Sequence, residues 1–123
     1  MAKNHQLGQK GEDLASQFLE NIGYEILDRN WVYKKAELDI IAKKDQRLIF
    51  VEVKTRSGKA FGQPEEFVTT RKQCLMERAA AEYIYLMNHQ GEIRFDIVSI
   101  LFNYSEQFVL RHIEDAFWPE LSY

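Results

Sequence analysis

Three carboxylates and a lysine are spaced so that they could form a hydrolytic site: Glu12, Asp39, Glu52 and Lys54. Glu52 and Lys54 alternate on one face of a mostly apolar predicted strand, where a charge is costly unless it is paired or bound to a metal. Taken alone, Glu-x-Lys is better explained by a surface ion pair at a strand end that reaches solvent, because the tripeptide is common. Asp39 lies on the neighbouring predicted strand, and a short hairpin turn can bring it close to Glu52.

The third carboxylate, Glu12, lies at the boundary of the apolar face of a predicted helix, and Gly8 one turn earlier leaves space beside it. Hard divalent cations prefer oxygen ligands, and Mg²⁺ typically takes one or two carboxylates together with water and phosphate oxygens. A lysine beside such ligands can hold a water molecule or a phosphate oxygen. The four residues are therefore a candidate site for a divalent cation and a phosphate group.

The composition is that of a globular protein, with 46% apolar and 28% charged residues in a chain of 123. The single cysteine, Cys74, forbids an internal disulfide and argues against a cysteine-based zinc site. No apolar run is long enough to span a bilayer, and residues 1–10 lack the apolar core of a signal peptide. We expect a cytoplasmic protein that has no membrane partner.

The net charge of -3 argues against bulk attraction to nucleic acid, but the charges are unevenly distributed. Residues 29–59 hold nine Lys and Arg against four Asp and Glu, whereas the segments 1–28 and 73–123 are acidic. The functional interpretation is a local surface that binds anions, with Arg56, Lys59 and Lys72 as contacts to phosphates. For any single lysine, the alternative of a solvated side chain is the commoner outcome.

Apolar periodicity and turn residues predict one domain over residues 1–123, with elements in the order αβββαββ. The first helix is predicted over residues 7–22, ended by Gly23, and the second from Pro64 to about Asn88. The predicted strands cover residues 24–33, 36–42, 47–55, 93–103 and 107–113, and the first three form an antiparallel meander. The inner stripe predicted for the second helix consists of Val68, Leu75, Ala79, Tyr83 and Leu86.

Alternation along the second strand predicts Leu38, Ile40 and Ala42 on one face and Glu37, Asp39 and Ile41 on the other. Several charged or apolar residues outside the candidate site have structural interpretations. Arg94 and Asp96 should form an ion pair within the sheet, His112 should be structural, and Cys74 half-buried. Glu37 is either a further carboxylate behind the site or a partner of Lys34 or Lys35. The apolar tail from Phe117 onward should fold back on the core, with contact to a second copy in a homodimer as the alternative.

The order of these motifs resembles the PD-(D/E)xK nuclease superfamily and, more closely, the YraN-type family of small bacterial proteins, which are similar in fold to archaeal Holliday junction resolvases. The residues that carry the resemblance extend over nearly the whole chain. They are Gly8, Gly11-Glu12, Ala15, Phe18-Leu19, Gly23-Tyr24, Arg29-Asn30-Trp31, Glu37 to Ala42, Phe50 to Lys54 with Arg56, Phe61-Gly62, Pro64, Lys72, Arg94 to Val98 and Asp115 to Phe117.

The resemblance implies a restriction-endonuclease-like α/β fold, in which helices flank a mixed sheet. It also implies that Asp39 and Glu52 bind Mg²⁺ or Mn²⁺, that Lys54 orients or activates water, and that Glu12 is a further acid at the metal edge. Two positions depart from the family pattern. Ala36 replaces the usual glycine, which changes a turn, and Val32 replaces a frequent basic residue, which removes a phosphate contact.

Two functional hypotheses follow from the residues and the resemblance. The first is a Mg²⁺- or Mn²⁺-dependent endonuclease acting on structured or branched DNA, similar to Holliday junction resolvases. The second is a nuclease fold used as a non-catalytic module that binds nucleic acid or another protein. The intact acidic set with Lys54 favours the first, because converging carboxylates repel phosphate when no metal is bound.

Overall fold

The computed structural model describes residues 2–58, 68–105 and 107–118. Its elements follow the predicted order αβββαββ, and their bounds are α1 Ala2–Asn21, β1 Glu25–Tyr33, β2 Ala36–Lys44, β3 Arg47–Ser57, α2 Thr70–Met87, β4 Ile93–Phe102 and β5 Phe108–Ile113. The α/β class is therefore confirmed. Among the described residues, no helix is both long enough and apolar enough to cross a membrane.

The five strands form one mixed sheet in the order β1-β2-β3-β4-β5. The meander of β1, β2 and β3 is antiparallel, as predicted, and β4 and β5 also pair antiparallel. Among the strands of the described residues, only β3 and β4 run parallel, with ten residue pairs from Leu48–Ile93 to Ser57–Phe102. A parallel pair needs a crossover connection, and α2 lies in the segment that provides it.

Helices cover both faces of the sheet, so that two hydrophobic clusters form. The α1 side contains Ala15, Leu19, Ile40, Ala42, Ile49, Val51, Val98 and Ile100, while the α2 side contains Leu38, Ile41, Phe50, Met76, Ala79, Tyr83, Phe95 and Ile97. Because both faces of β3 and β4 are covered, apolar residues on either face of these strands, such as Ile49 and Phe50, are buried. This explains the nearly continuous apolar runs in their sequences.

The first helix ends where the sequence predicts. Gly23 has φ of +97°, and the Tyr24 N–H donates to the carbonyl of Leu19, which closes the last turn around a left-handed glycine. The helix begins at Ala2 rather than at residue 7. Its first turns are polar and carry no apolar period, so hydrophobic periodicity does not reveal them as helical.

The start predicted for the second helix is wrong. The helix begins at Thr70, and the Thr69 hydroxyl caps it by accepting the Lys72 N–H at 3.2 Å. Pro64 lies outside the described residues, and Val68 and Thr69 are not helical. A threonine cap thus defines the start.

The predicted inner stripe of α2 is only partly right. Its buried residues are Met76, Ala79, Ala80 and Tyr83, whereas Leu86 is exposed. Leu75 is half-buried beside the cluster, and Val68 is buried but precedes the helix. Leu86 lies in the last turn of α2, beyond the segment that packs on the sheet.

The predicted alternation along β2 is also wrong at one residue. Leu38 packs on the α2 side of the sheet, whereas Ile40 packs on the α1 side. The change of side occurs at Asp39, which lies opposite Asn30 in the register between β1 and β2. Asn30 has φ of +53°, so the pleat is irregular at this point.

The smaller structural predictions outside the site are confirmed. Arg94 and Asp96 form an ion pair at 2.8 Å, and Cys74 is half-buried. The described start of the tail folds back, since Phe117 packs on Phe95 with ring centroids 5.3 Å apart. Residues 119–123 lie outside the described part of the chain.

Candidate active site

Asp39 and Glu52 lie at a fork between two strands. The pairing of β2 with β3 runs from Lys44–Arg47 to Ile40–Val51 and stops there. Continuing this register by one residue places Asp39 opposite Glu52, at the point where the strands separate. One oxygen of Asp39 accepts the Val53 N–H at 2.9 Å, so this carboxylate bridges the opening between the strands.

The surroundings of Asp39 and Glu52 disfavour the state in which both carboxyl groups are ionised. Burial, and then the charge of Glu52, raise the pKa of Asp39 to about 8, while the hydrogen bond from Val53 acts in the opposite direction. Glu52 is 7% exposed, and its Oε1 is buried without a hydrogen-bond partner among the described residues. Its Oε2 lies 3.4 Å from Nζ of Lys72 on α2. The site therefore contains an unsatisfied carboxylate oxygen beside a second carboxylate.

Lys54 lies two residues after Glu52 on β3 and is half-buried. It is paired with Ser99 of β4. Arg56 is two residues further along the strand and is exposed. Lys59 lies outside the described residues. The predicted site residues of β3 therefore follow one another along the half of the strand that extends past the fork, with Arg56 nearest its end.

Glu12 occupies the opposite side of the sheet, on α1. It is 8% exposed, and its Oε1 accepts hydrogen bonds from Arg29 Nε at 3.0 Å and from Asn30 Nδ2 at 2.7 Å. Nη2 of Arg29 also forms an ion pair with Oδ1 of Asp13 at 2.6 Å. These bonds fix α1 to the irregular part of β1, directly opposite Asp39.

A cavity of about 360 Å³ brings Glu12 and Asp39 to a common surface. Its lining consists of Gly8, Gln9, Glu12, Asn30, Glu37, Asp39, Val53 and Thr55. Space beside Gly8 is open, as predicted, since a Cβ there would meet nothing within 4 Å. Glu37 is exposed and also lines this cavity.

The structure thus divides the predicted acidic set between two sides of the sheet. Asp39 and Glu52 meet at the fork, Asp39 and Glu12 share the cavity, and Glu52 and Lys54 are not part of its lining. Within residues 2–58, 68–105 and 107–118, no group of three His, Cys, Asp or Glu is arranged to hold a metal ion. Asp39 is the residue common to both sides.

Sequence reasoning missed two features of the site. The first is the fixing of Glu12 by Arg29 and Asn30, although an asparagine within a strand is a signal for left-handed backbone. The second is the ion pair between Lys72 and Glu52, which joins α2 to the fork. This pair has no local signal, because it depends on how the helix lies over the sheet.

Comparison with known proteins identifies the family. The model of the uncharacterised protein family UPF0102 matches residues 11–100. A UPF0102 protein of Flavobacterium johnsoniae is 48% identical over 122 residues, which cover 96% of this chain and 98% of the relative. A UPF0102 protein of Rhodococcus opacus is 43% identical over 118 residues, which cover 95% of this chain and 100% of the relative.

Among solved structures, the chain is similar to Pyrococcus furiosus SfsA in complex with Ca²⁺, at 15% identity and a TM-score of 0.43. The similarity covers 90% of this chain and 63% of that protein. The match of the family model and the identity to full-length relatives agree with the YraN-type motifs in the sequence. The chain belongs to the uncharacterised protein family UPF0102, the YraN family.

Proposed function

We propose that this protein is an endonuclease that requires a divalent cation and acts on structured or branched DNA. The observation that carries the proposal is the meeting of Asp39 and Glu52 at the fork between β2 and β3. Both belong to the motif series of the YraN family. Two adjacent carboxylates destabilise each other unless a positive charge compensates them, so the pair has a cost that a bound cation removes.

The donor set fits Mg²⁺ or Mn²⁺. Oε1 of Glu52 is a buried acceptor without a partner among the described residues, and the Asp39 carboxylate is next to it. Hard oxygen ligands of this kind suit both ions, which bind few protein groups and keep several waters. Asp39 and Glu52 would hold the ion. When bound, it would stabilise negative charge on a phosphate and lower the pKa of a coordinated water.

The neighbouring residues have separate roles in this proposal. Lys54 would hold the scissile phosphate or the attacking water with its ammonium, since it follows Glu52 on β3. Glu12 would keep the cavity wall in place through its bonds to Arg29 and Asn30. Arg56 and Lys59 would contact phosphates further along the DNA, where electrostatic contacts position the substrate.

Cleavage assays test the proposal directly. The protein is incubated with labelled linear duplex, single-stranded, flap and four-way-junction DNA, in Mg²⁺, in Mn²⁺ and in a chelator. We expect cleavage that depends on the cation and is fastest on a branched form. Lys54→Ala should cut more slowly by a factor on the order of 100 or more while retaining most DNA affinity, because its contact is strongest in the transition state.

A matched control comes from the same sheet. Lys43→Ala removes an exposed lysine near the opposite end of β2 and should cut at the wild-type rate. If Lys54→Ala also cuts at that rate, the active site lies elsewhere in the molecule. If wild type cuts no DNA form with either cation, the enzyme proposal is wrong. The protein is then a non-catalytic module that binds nucleic acid or another protein.

A further inference from the structure

We propose that a groove between the β1–β2 turn and α2 binds the sugar–phosphate backbone of DNA that extends from the candidate active site. The inference rests on the proposed function and names a second contact surface for the same substrate. The groove, called here the basic groove, has a volume of about 240 Å³ and is lined by Tyr33, Lys34, Lys35, Ala36, Leu75 and Arg78.

The lining combines a cationic rim with an apolar floor. Lys34, Lys35 and Arg78 are exposed, and no acidic residue lines the groove. Within the described residues, none of these three side chains forms an ion pair. Ala36 is buried and Leu75 is half-buried, so the floor offers apolar surface beneath the charges. A chain that carries regular negative charges on apolar sugars matches this arrangement.

Acidic residues define one limit of the basic groove. Glu77 and Glu82 line the adjoining depression, together with Lys34, Arg78 and Tyr33. A backbone phosphate would be repelled from that depression and attracted to the side formed by Lys35 and the β1–β2 turn. The charges therefore favour one path along which an anionic chain can cross α2.

Aromatic packing makes one wall of the groove rigid. Tyr33 stacks on Trp31 with 9° between the ring planes, and Trp31 meets the buried Tyr83 of α2 edge-on with centroids 5.2 Å apart. Nζ of Lys34 lies 5.4 Å from the Tyr33 ring centre. A wall fixed before binding reduces the ordering cost when a ligand is bound.

The position of the groove favours DNA over an acidic peptide. Lys72, which contacts Glu52 at the fork, and Arg78, which lines the groove, are both on α2. Six residues of helix separate them by about 9 Å along its axis. This distance corresponds to two or three base steps of about 3.4 Å each. Lys72 and Arg78 also lie about 120° apart around the helix axis, so a backbone that reaches both crosses α2 obliquely. A repeating polyanion such as DNA can span this distance, which favours DNA over a short acidic peptide.

The test compares two double variants that remove the same charges. Lys35→Ala/Arg78→Ala changes the basic groove, and Lys43→Ala/Arg47→Ala changes exposed residues at the far end of the β2–β3 hairpin. Affinity for a labelled four-way junction and for its linear duplex is measured by fluorescence anisotropy over a salt series, in chelator and in Ca²⁺. We expect the groove variant to bind about fivefold to tenfold more weakly and the log–log salt slope to become shallower by about 2. The hairpin variant should bind like wild type.

The outcomes separate this inference from the proposed function. Equal affinity of the two variants overturns the groove, and if wild type cuts DNA the proposed function remains. A specific loss of affinity in the groove variant, with no cleavage by wild type, supports the groove and overturns the enzyme. A wild type that binds no DNA overturns both, and a labelled acidic peptide then tests the other occupant. Thermal midpoints of both variants should stay close to the wild-type value, because all four side chains are exposed and the Arg47–Glu92 ion pair that the hairpin variant loses is a surface pair.

Discussion

Lys72 supplies a positive charge to the two carboxylates of the fork, at the scale of a single residue. Its Nζ lies 3.4 Å from Oε2 of Glu52, and its side chain is 41% exposed, so solvent weakens the pair. A divalent cation bound by Asp39 and Glu52 would be repelled by this ammonium. Lys72 thus compensates the charge of Glu52 and would oppose binding of the proposed cation.

Metal titrations of two variants test this competition. We expect Mg²⁺ or Mn²⁺ to raise the thermal midpoint of the wild type, and Asp39→Asn to lose most of that rise because it removes a proposed ligand of the folded state. Lys72→Met should bind metal about threefold to tenfold more tightly and show a larger rise, since the opposing charge is gone. Differential scanning fluorimetry over a series of metal concentrations measures both shifts.

The control is the neighbouring cation of α2. Arg71→Met removes an exposed charge that has no ion pair with Glu52, and its metal-dependent shift should match that of wild type. An unchanged shift in Asp39→Asn would contradict the assignment of this residue as a ligand. A smaller shift in Lys72→Met than in Arg71→Met would mean that Lys72 supports metal binding.

Gly11 sets the distance between two elements, α1 and β3. A Cβ at this position would lie 2.1 Å from the Thr55 hydroxyl oxygen, well inside contact distance. Gly8, one turn earlier, has no atom within 4 Å of the corresponding position. The two positions of the same helix therefore suit glycine for different physical reasons. Gly11 permits close packing of α1 on β3, and Gly8 leaves the cavity open.

Alanine substitutions should separate the two glycines. Gly11→Ala should lower the free energy of unfolding by about 1–3 kcal/mol, because the helix must move away from β3. Gly8→Ala should raise it by up to about 1 kcal/mol through better helix propensity. Urea denaturation measures both. Thr55→Ala should restore part of the loss in Gly11→Ala, and a loss in Gly11→Ala that Thr55→Ala leaves unchanged would contradict the proposed clash.

How far the elements could be predicted depends on whether their signals are local. The meander and the order αβββαββ followed from alternation, periodicity and turns, all of which are read from adjacent residues. The α2 start was misplaced because Pro64 and its acidic neighbours resemble a helix start, while Thr69 is the cap. The side of Leu38 was wrong because the irregular backbone at Asn30 acts across β1 and β2.

In the candidate site too, local contacts could be predicted from the sequence and long-range contacts could not. Asp39 and Glu52 could be brought together from the hairpin alone, since the register of adjacent strands is a short-range property. The contact of Lys72 with Glu52 and the contact of Arg29 with Glu12 join residues distant in sequence. Such contacts depend on where helices lie on the sheet, which no local pattern specifies.

A buried polar network connects distant parts of the whole molecule. Asp96 of β4 has no exposed surface and accepts hydrogen bonds from Arg94, from His112 of β5 and from the Asp115 N–H near the tail. Tyr24 lies just after the end of α1, and Arg94 donates a hydrogen bond to its hydroxyl at 2.7 Å. The network therefore joins the segment that follows α1 and the segment that follows β5 to strand β4.

Asp96→Asn should destabilise the protein by about 3 kcal/mol, because Arg94 loses the charge of its buried partner. Glu114→Gln is the matched control, since Glu114 also pairs with Arg94, at 3.2 Å, but is 60% exposed. It should cost less than about 1 kcal/mol. Equal effects of the two substitutions in urea denaturation would contradict the importance of the buried charge.

The pH dependence of stability should report the same network. Burial would raise the pKa of Asp96, but the hydrogen bonds from His112, Arg94 and Asp115 outweigh it and lower the pKa. A carboxyl group whose pKa is lower in the folded state contributes its full stabilisation above its unfolded pKa of about 3.9. That contribution is lost as the pH falls through the lowered pKa. Unfolding measured from neutral to strongly acid pH should therefore show a shallower decline in Asp96→Asn than in Glu114→Gln.

The distribution of charge over the molecule sets how strongly the proposed DNA binding should depend on salt. The chain has a net charge of -3, yet residues 29–59 carry nine basic residues against four acidic ones. Some of the nine, such as Lys43 and Arg47, lie at the far end of the β2–β3 hairpin, so only a few phosphates would be neutralised and the acidic remainder would repel the others. We expect DNA affinity to fall with salt with a log–log slope of about -3 to -5, and Arg56→Ala to make it shallower by about 1. Fluorescence anisotropy with a four-way junction in Ca²⁺ measures the slope. Affinity that does not change with salt would mean that phosphate contacts do not hold the complex together.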